Sequence, residues 1–327
     1  VFLLAVLWAP PALSSVLEDV QSRGTLRCGV GGELAGLSLQ SDSGAWSGLD
    51  VDLCRAVAAA VLGDADKVSF VRLSNQERLD ALAAGKVDLL ARNTTWTLQR
   101  DSSRGMSFVG VFYYDGQGLM LPKERNLRSA LELDNATVCV QRNTTSVVNA
   151  KRYFSLHRMR LRLLPFDDVV SQRQAYLNGE CEAITADQSQ LYALRAQFPQ
   201  PSEHRILPEV ISKEPLSPAV RKGDAQWFDI VRWTLFVLIG AEELGLTSDN
   251  VERARSEAEN PDVRRLLGVE GDSGRPFGLQ ANWAFQIVRQ VGNYQELFQR
   301  NLAPLGIRRG LNALWRDGGL MYSPPLR

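Results

Sequence analysis

Short apolar runs alternate with amphipathic stretches along this chain, and the alternation occurs twice. In the first half, the pattern predicts a strand over 26–30, a helix over 50–62 and a second strand over 68–73. A helix over 75–84, with Leu79 and Leu82 on one face, and a strand over 87–91 follow, and the polar turn Arg92-Asn93-Thr94-Thr95 closes the series. In the second half, a strand over 137–140 runs into the polar turn Gln141-Arg142-Asn143-Thr144-Thr145. Then come a helix over 146–156, a strand over 160–165, a helix over 169–179 and a strand over 181–185. Strands alternating with helices through short connections predict an α/β protein with two lobes, each a doubly wound sheet. Such sheets bind ligands beyond the carboxyl ends of their strands, and both halves place Asn, Thr or Asp there. Two extended hinge crossings, 116–121 and 216–221, are expected to join the lobes. Lobe 1 is then 16–118 with 219–327, including a C-terminal helical elaboration, and lobe 2 is 119–218. The charged, Gly-rich segment 247–279 reads as surface elaboration.

The N-terminal segment does not fit either lobe. Residues 1–9 are an apolar run, followed by Pro10-Pro11-Ala12-Leu13-Ser14-Ser15 and then acidic, polar sequence. Segment 1–15 therefore resembles a signal-peptide remnant, with its basic start missing and a small-residue cleavage region present. It is too short to span a bilayer. A buried N-terminal helix is the plainer alternative, which the prolines oppose. No cysteine lies near the cleavage region, so a periplasmic protein without a lipid anchor is expected. The apolar stretch 227–246 is interrupted by Asp229, Arg232, Glu242 and Glu243 and reads as a buried helix rather than a membrane span. Composition adds exclusions. With 45% hydrophobic residues the chain can bury a normal core, and 37 Lys plus Arg against 37 Asp plus Glu leave no basic surplus to favour nucleic acid or an anionic membrane.

Cys28, Cys54, Cys139 and Cys181 form no C-x-x-C pair, and neither His157 nor His204 is near them, so no metal site or cofactor is expected. Three pairings are open to four cysteines. Cys54, Val57, Ala58 and Val61 fall at i, i+3, i+4 and i+7, which puts Cys54 on the helix stripe facing the sheet that carries Cys28. Cys139 and Cys181 lie on strands separated by one helix, as neighbours in a parallel sheet are. The pairing 28–54 and 139–181 is preferred, with four free buried thiols as the alternative.

The run Gly44-Ala45-Trp46-Ser47-Gly48-Leu49-Asp50-Val51-Asp52-Leu53-Cys54-Arg55-Ala56-Val57 resembles the G-x-W-x-G-F-D-V-D-x-C-R-A-V signature of polar amino-acid-binding proteins of ABC uptake systems. The segments 92–101, 113–118, 138–141, 185–189, 211–216, 226–231 and 309–315 resemble, in order, the general L-amino-acid-binding branch of that family. The resemblance implies a periplasmic-binding-protein fold of type II, closing on its ligand by hinge bending. It also implies that the protein captures free L-amino acids and delivers them to ABC transporter permease subunits, as a monomer and without catalysis.

An amino acid carries a carboxylate and an ammonium, and a general binder must meet both. Within the matched segments Arg100 is the choice for the carboxylate, since a guanidinium fork fits it bidentately. Thr95 is expected to add a hydroxyl or amide, and Thr144 and Thr145, at a helix start, backbone N–H groups. Capping of that helix is the plainer role for the two threonines. Asp187, after a strand, is the choice for the ammonium, with Asn93 as a second acceptor; helix capping and turn formation are their ordinary roles. Trp96 either lines the cleft or packs under the hinge. The family reads Q-x-G-T-T where this chain has Asn143, a residue that tolerates positive φ, so the turn is expected to survive. The loop Gly31-Gly32-Glu33-Leu34-Ala35-Gly36 lacks an aromatic residue and implies a roomy side-chain pocket, in which Glu33 either favours cations or is solvated. An enzyme on the same fold is the main competing class, but no His accompanies the Ser/Thr cluster. A sensor that presents amino acids to a receptor is the third.

Overall fold

The structure, a computed structural model, describes residues 15–103 and 105–326. The signal-peptide reading of 1–15 thus lies outside the described residues except for Ser15, which caps helix Val16–Arg23. Two five-stranded sheets carry the fold. Across the first, the order is Val68–Arg72, Leu26–Val30, Leu89–Leu90, Ala219–Arg221 and Met106–Phe108. Leu26–Val30 runs parallel to both neighbours, whereas Ala219–Arg221 is antiparallel to the strands on either side of it. Across the second, the order is Leu161–Phe166, Ala136–Gln141, Ala183–Asp187, Gln117–Pro122 and His204–Ile206. Its first three strands are parallel, and Gln117–Pro122 is antiparallel to both of its partners.

Helix Leu49–Leu62 is dominated by alanine, valine and leucine and ends on Gly63 at φ +71°, a left-handed conformation that costs glycine little. It is buried along almost its whole length between the first sheet and helix Trp283–Val291. The Cys28–Cys54 disulfide fixes it to the sheet, and Cys139–Cys181 joins two strands of the second sheet, so both preferred pairings form. Trp283, Phe285, Ile287 and Val288 are buried from the C-terminal side, each worth roughly 1.5–3 kcal/mol of apolar burial. The C-terminal helices therefore complete the core beside the first sheet.

Some elements are shorter than their patterns predict. The strand expected over 87–91 contracts to Leu89–Leu90. Asp88 instead takes the N–H of Arg27 at 2.8 Å and pairs with Arg23 and Arg27. The helix expected over 75–84 starts only at Arg78, because Glu77 folds back onto Ser74 and Asn75 binds Arg92. Segment 247–279 is more than surface: it forms helices Val251–Glu257 and Pro261–Leu266 and buries Val251, Val263, Leu266 and Leu267. Among the described residues no helix is long and apolar enough to cross a membrane.

The two crossings between the sheets pair with each other a few residues earlier than expected, Tyr113–Asp115 running antiparallel to Glu214–Leu216. The C-terminal segment braces them. Asn312 accepts the N–H of Tyr114 at 2.7 Å and donates to its carbonyl at 3.0 Å, and the Tyr294 hydroxyl donates to the Phe112 carbonyl at 2.7 Å.

Candidate functional site

Both polar turns fall at the carboxyl ends of central strands, and each is built by its own neighbours. In the first turn, Arg92 donates to the Leu73 carbonyl at 2.6 Å and to Asn75 Oδ1 at 2.7 Å, which consumes its guanidinium in holding the turn. Asn93 adopts φ +30° and gives its N–H to Asp50 Oδ2 at 3.1 Å. Asp50 is buried near the start of helix Leu49–Leu62; burial pushes its carboxyl up to about 7, against the pull of the Asn93 N–H and of Arg92 and Arg78.

In the second turn, Asn143 sits at φ +57°, the left-handed conformation expected where the family has glycine. Helix Thr145–Leu156 follows with Thr144 at its N-cap, but the Thr144 hydroxyl caps nothing and donates to the Gln141 carbonyl at 2.8 Å. The first N–H groups of this helix thus carry no side-chain cap, and the helix dipole concentrates positive potential there.

Asp187 ends strand Ala183–Asp187 and stands at the N-cap of helix Gln188–Ala196, yet it makes no capping bond. It is 6% exposed, and its carboxylate accepts no hydrogen bond from the described residues. Burial, followed by the nearby Asp115 and Glu214 carboxylates, holds its carboxyl well above the ordinary range, while Arg78 and Arg100 draw it back.

These groups converge on one narrow pocket. Asn93 and Thr95 face Thr144, Thr145 and Asp187 across it, and Arg78, Gln141, Thr185 and Gln190 complete the wall. A second compartment adjoins it through Asn75, Asn93, Gln141 and Gln190 and is bounded by Gly31, Glu33, Leu34 and Arg92. Glu33 forms an ion pair with Arg72, which neutralises the charge it brings to this compartment.

Two of the expected residues lie beside the pocket instead of in its wall. Arg100, on helix Leu98–Ser103, donates to the Thr95 carbonyl at 2.8 Å. Its charge still reaches both Asp187 and Arg78. Trp96 gives its N–H to the Pro215 carbonyl at 2.8 Å and stacks on Phe108 with ring centroids 5.9 Å apart.

Glu214 and Arg78 escaped the reading of the sequence. Glu214 is buried at the crossing and accepts four hydrogen bonds, from Thr95, Thr145, Asn149 and Ser212, at 2.6 to 2.9 Å. No local signal marks it. Arg78 had a signal: it falls at i relative to buried Ala81 and Leu82 at i+3 and i+4, a cation on the apolar stripe of its helix. All four cysteines are in disulfides, and among the described residues no cluster of His, Cys, Asp and Glu is arranged to hold a metal ion.

Among the described residues, the site pairs a buried carboxylate that accepts no hydrogen bond with a buried guanidinium whose Nε has no acceptor and a helix terminus without a side-chain cap. A zwitterion complements both.

Known proteins of similar sequence and shape identify the family. A general L-amino acid-binding periplasmic protein of Rhizobium johnstonii, AapJ, is 48% identical over 98% of this chain and 95% of its own length. BztA of Rhodobacter capsulatus, named as a glutamate/glutamine/aspartate/asparagine-binding protein, is 46% identical over 99% of this chain and 97% of its own. The solved structure of an ABC transporter/periplasmic binding protein from Brucella ovis, with glutathione bound, covers 96% of this chain and all of its own at a TM-score of 0.94 and 47% identity. The family model for bacterial extracellular solute-binding proteins, family 3, matches residues 26–248. With its two lobes, its paired strand-end turns and a match across most of its length, the chain belongs to this family of solute-binding proteins, which are not enzymes.

Proposed function

We propose that the protein captures free L-amino acids of several side-chain types outside the cytoplasm and hands them to the permease of an ABC transporter when its lobes close. The single observation that carries this reading is Asp187, a buried carboxylate in the wall of the inter-sheet pocket without a hydrogen-bond donor among the described residues. It supplies the acceptor that an α-ammonium requires. The α-carboxylate is assigned to Arg100, Thr95 and the uncapped N–H groups at Thr144 and Thr145, with Asn93 as a further acceptor for the ammonium. The names of the Rhizobium and Rhodobacter relatives support amino acids as the ligand class. The Brucella relative's bound glutathione supports it too, since the γ-glutamyl residue of that tripeptide keeps a free α-ammonium and α-carboxylate.

The lobes are assigned as 16–118 with 219–327, and 119–218. The mature protein is assigned to the periplasm as a monomer, after loss of the 1–15 segment. Two charge-assisted contacts in a closed, water-poor cleft suffice for micromolar capture, about −8 kcal/mol. Calorimetry against a panel of neutral, acidic and basic L-amino acids, with recovery of the unchanged ligand, tests the reading. Absence of binding across the panel, or a chemically altered ligand, would reject it.

A further inference from the structure

Helix Gln188–Ala196 begins directly after Asp187. An aspartate in that place ordinarily accepts the N–H of the second or third helical residue. Such a bond exists here, but Asp187 does not make it. The Ser189 N–H, second in the helix, donates to Asp115 Oδ2 at 3.2 Å, from a residue 74 positions earlier in the chain. The Gln188 N–H, first in the helix, donates to the Gly116 carbonyl at 2.8 Å. Both acceptors belong to the first crossing between the sheets. Strand register accounts for the arrangement. Gln117 lies opposite Asp187 in antiparallel pairing, so the next step sets Gly116 against Gln188 and the one after sets Asp115 against Ser189. The crossing is tightly wedged at this point, since a Cβ at Gly116 would run into the Val210 side chain and the Ser212 carbonyl. Asp115 is itself fixed: its Oδ1 accepts the Gly116 N–H at 2.8 Å, and its backbone pairs with Glu214 on the return crossing.

Asp187 is thereby relieved of the bond its position assigns to it. The N–H that would hold it against its own helix is taken, and the Asp115 charge adds repulsion. After burial, that charge is the largest influence holding the Asp187 carboxyl above its ordinary range. We infer that Asp115 is a positioning residue for amino-acid binding: by capping helix Gln188–Ala196 from the crossing, it leaves the Asp187 carboxylate free for the ligand ammonium. Glu214, its neighbour across the crossings, cannot take over, because its two oxygens already hold Thr95, Thr145, Asn149 and Ser212. Without Asp115 the Ser189 N–H loses its acceptor, and the carboxylate standing at the ordinary capping place is Asp187. Turned onto that N–H, Asp187 is lost to the ligand.

The inference rests on Asp187 as the ammonium acceptor proposed above. Calorimetry on the full chain with L-glutamate, L-glutamine and L-alanine tests it in the native protein, Asp115→Ala, Asp115→Asn, Asp187→Ala and the double variant of both alanines. Asp115→Ala should weaken the tightest of the three ligands by about thirtyfold or more, as should Asp187→Ala alone. Adding Asp187→Ala to Asp115→Ala should cost less than about threefold more, because the second change removes a carboxylate already withdrawn from the ligand. Asp115→Asn keeps an oxygen for the Ser189 N–H and should bind within about fivefold of the native protein. Native affinity in Asp115→Ala overturns the inference. So do two losses that multiply, which would make Asp115 a support of the fold alone. Amide hydrogen exchange at Ser189 in Asp187→Ala reads the cap directly and decides the matter if Asp115→Ala does not fold. Protection equal to that of the native protein is expected, and its loss would show Asp187 capping its own helix and overturn the inference. Full affinity in Asp187→Ala removes the ammonium acceptor and the inference with it, while amino-acid capture stands. Failure of the folded native protein to bind any of the three defeats the underlying reading instead.

Discussion

The hydroxyl of Thr95 donates to Glu214 at 2.6 Å, across 119 residues of chain. Thr145, from the second sheet's side, donates to the same carboxylate oxygen at 2.9 Å. One buried anion therefore ties both polar turns to the crossing between the sheets. With their protons committed to Glu214, both hydroxyls offer a ligand only lone pairs, and any help they give to a carboxylate must come from their backbone N–H groups. Glu214→Gln replaces one acceptor oxygen by a donor, so that either the Asn149 N–H faces another donor or both threonine hydroxyls must turn from donating to accepting. The expected cost is roughly 2–4 kcal/mol of stability, read by urea denaturation, together with weaker binding of every amino acid.

Arg100→Ala should weaken binding of all amino acids by about a hundredfold or more, consistent with the loss of a charge-assisted bidentate contact. Calorimetry across side-chain classes checks this. A mere change of preference among them would remove Arg100 from the α-carboxylate. Glu33→Gln, by contrast, leaves Arg72 without its carboxylate partner beside the second compartment and should alter selectivity among side chains while glycine binding stays intact.

Asp187 must be ionised to hold an ammonium group, yet burial and neighbouring carboxylates raise its pKa. Affinity should therefore fall as the pH drops through the weakly acidic range, and binding there should release a proton. Calorimetry at one pH in buffers of different ionisation enthalpy measures that release, and Asp187→Asn should abolish it.

Asp50 gives the opposite dependence, and in stability instead of binding. Its carboxyl is held up to about 7 in the fold, against about 3.9 in an unfolded chain. Protonation thus favours the folded state. That contribution is complete below the unfolded value and is lost as the pH rises through the folded one. Asp50→Asn, which still accepts from Asn93, should be less sensitive to pH between 4 and 8 by up to roughly 4 kcal/mol, measured as the difference in unfolding free energy at the two ends.

Replacing Cys28 and Cys54 by alanine should cost about 3.5 kcal/mol, and the same change at Cys139 and Cys181 about 4 kcal/mol, from the entropy restored to unfolded loops of 26 and 42 residues. Thermal unfolding of each pair under non-reducing conditions reads the two losses separately.

Much of this architecture was legible in the sequence because it is written in local periods. The strand and helix patterns located both sheets, and the buried stripe through Cys54 selected its disulfide partner. Asn143 at positive φ followed from the glycine that the family resemblance puts at this place and from asparagine's tolerance of that conformation. The polar interior was legible only in part. Arg78 sits on a six-residue helix and resembles any solvated arginine until Asp187, 109 positions later, is folded against it. Glu214 owes its burial to donors 119, 69 and 65 residues away. The crossings were placed a few residues late because extended segments on either side of them share one apolar pattern.

The placement of strand Ala219–Arg221 between Leu89–Leu90 and Met106–Phe108 has a consequence in time. As the polypeptide emerges N-terminus first, every strand of the second sheet, complete at Ile206, is available before the inner strand of the first. The early strands of the first sheet must wait, with an unfilled seam, until residues 219–221 arrive and the C-terminal helices seal them. The first sheet of a chain wired in this way cannot close until its C-terminal half has been made, whatever the second sheet has already done.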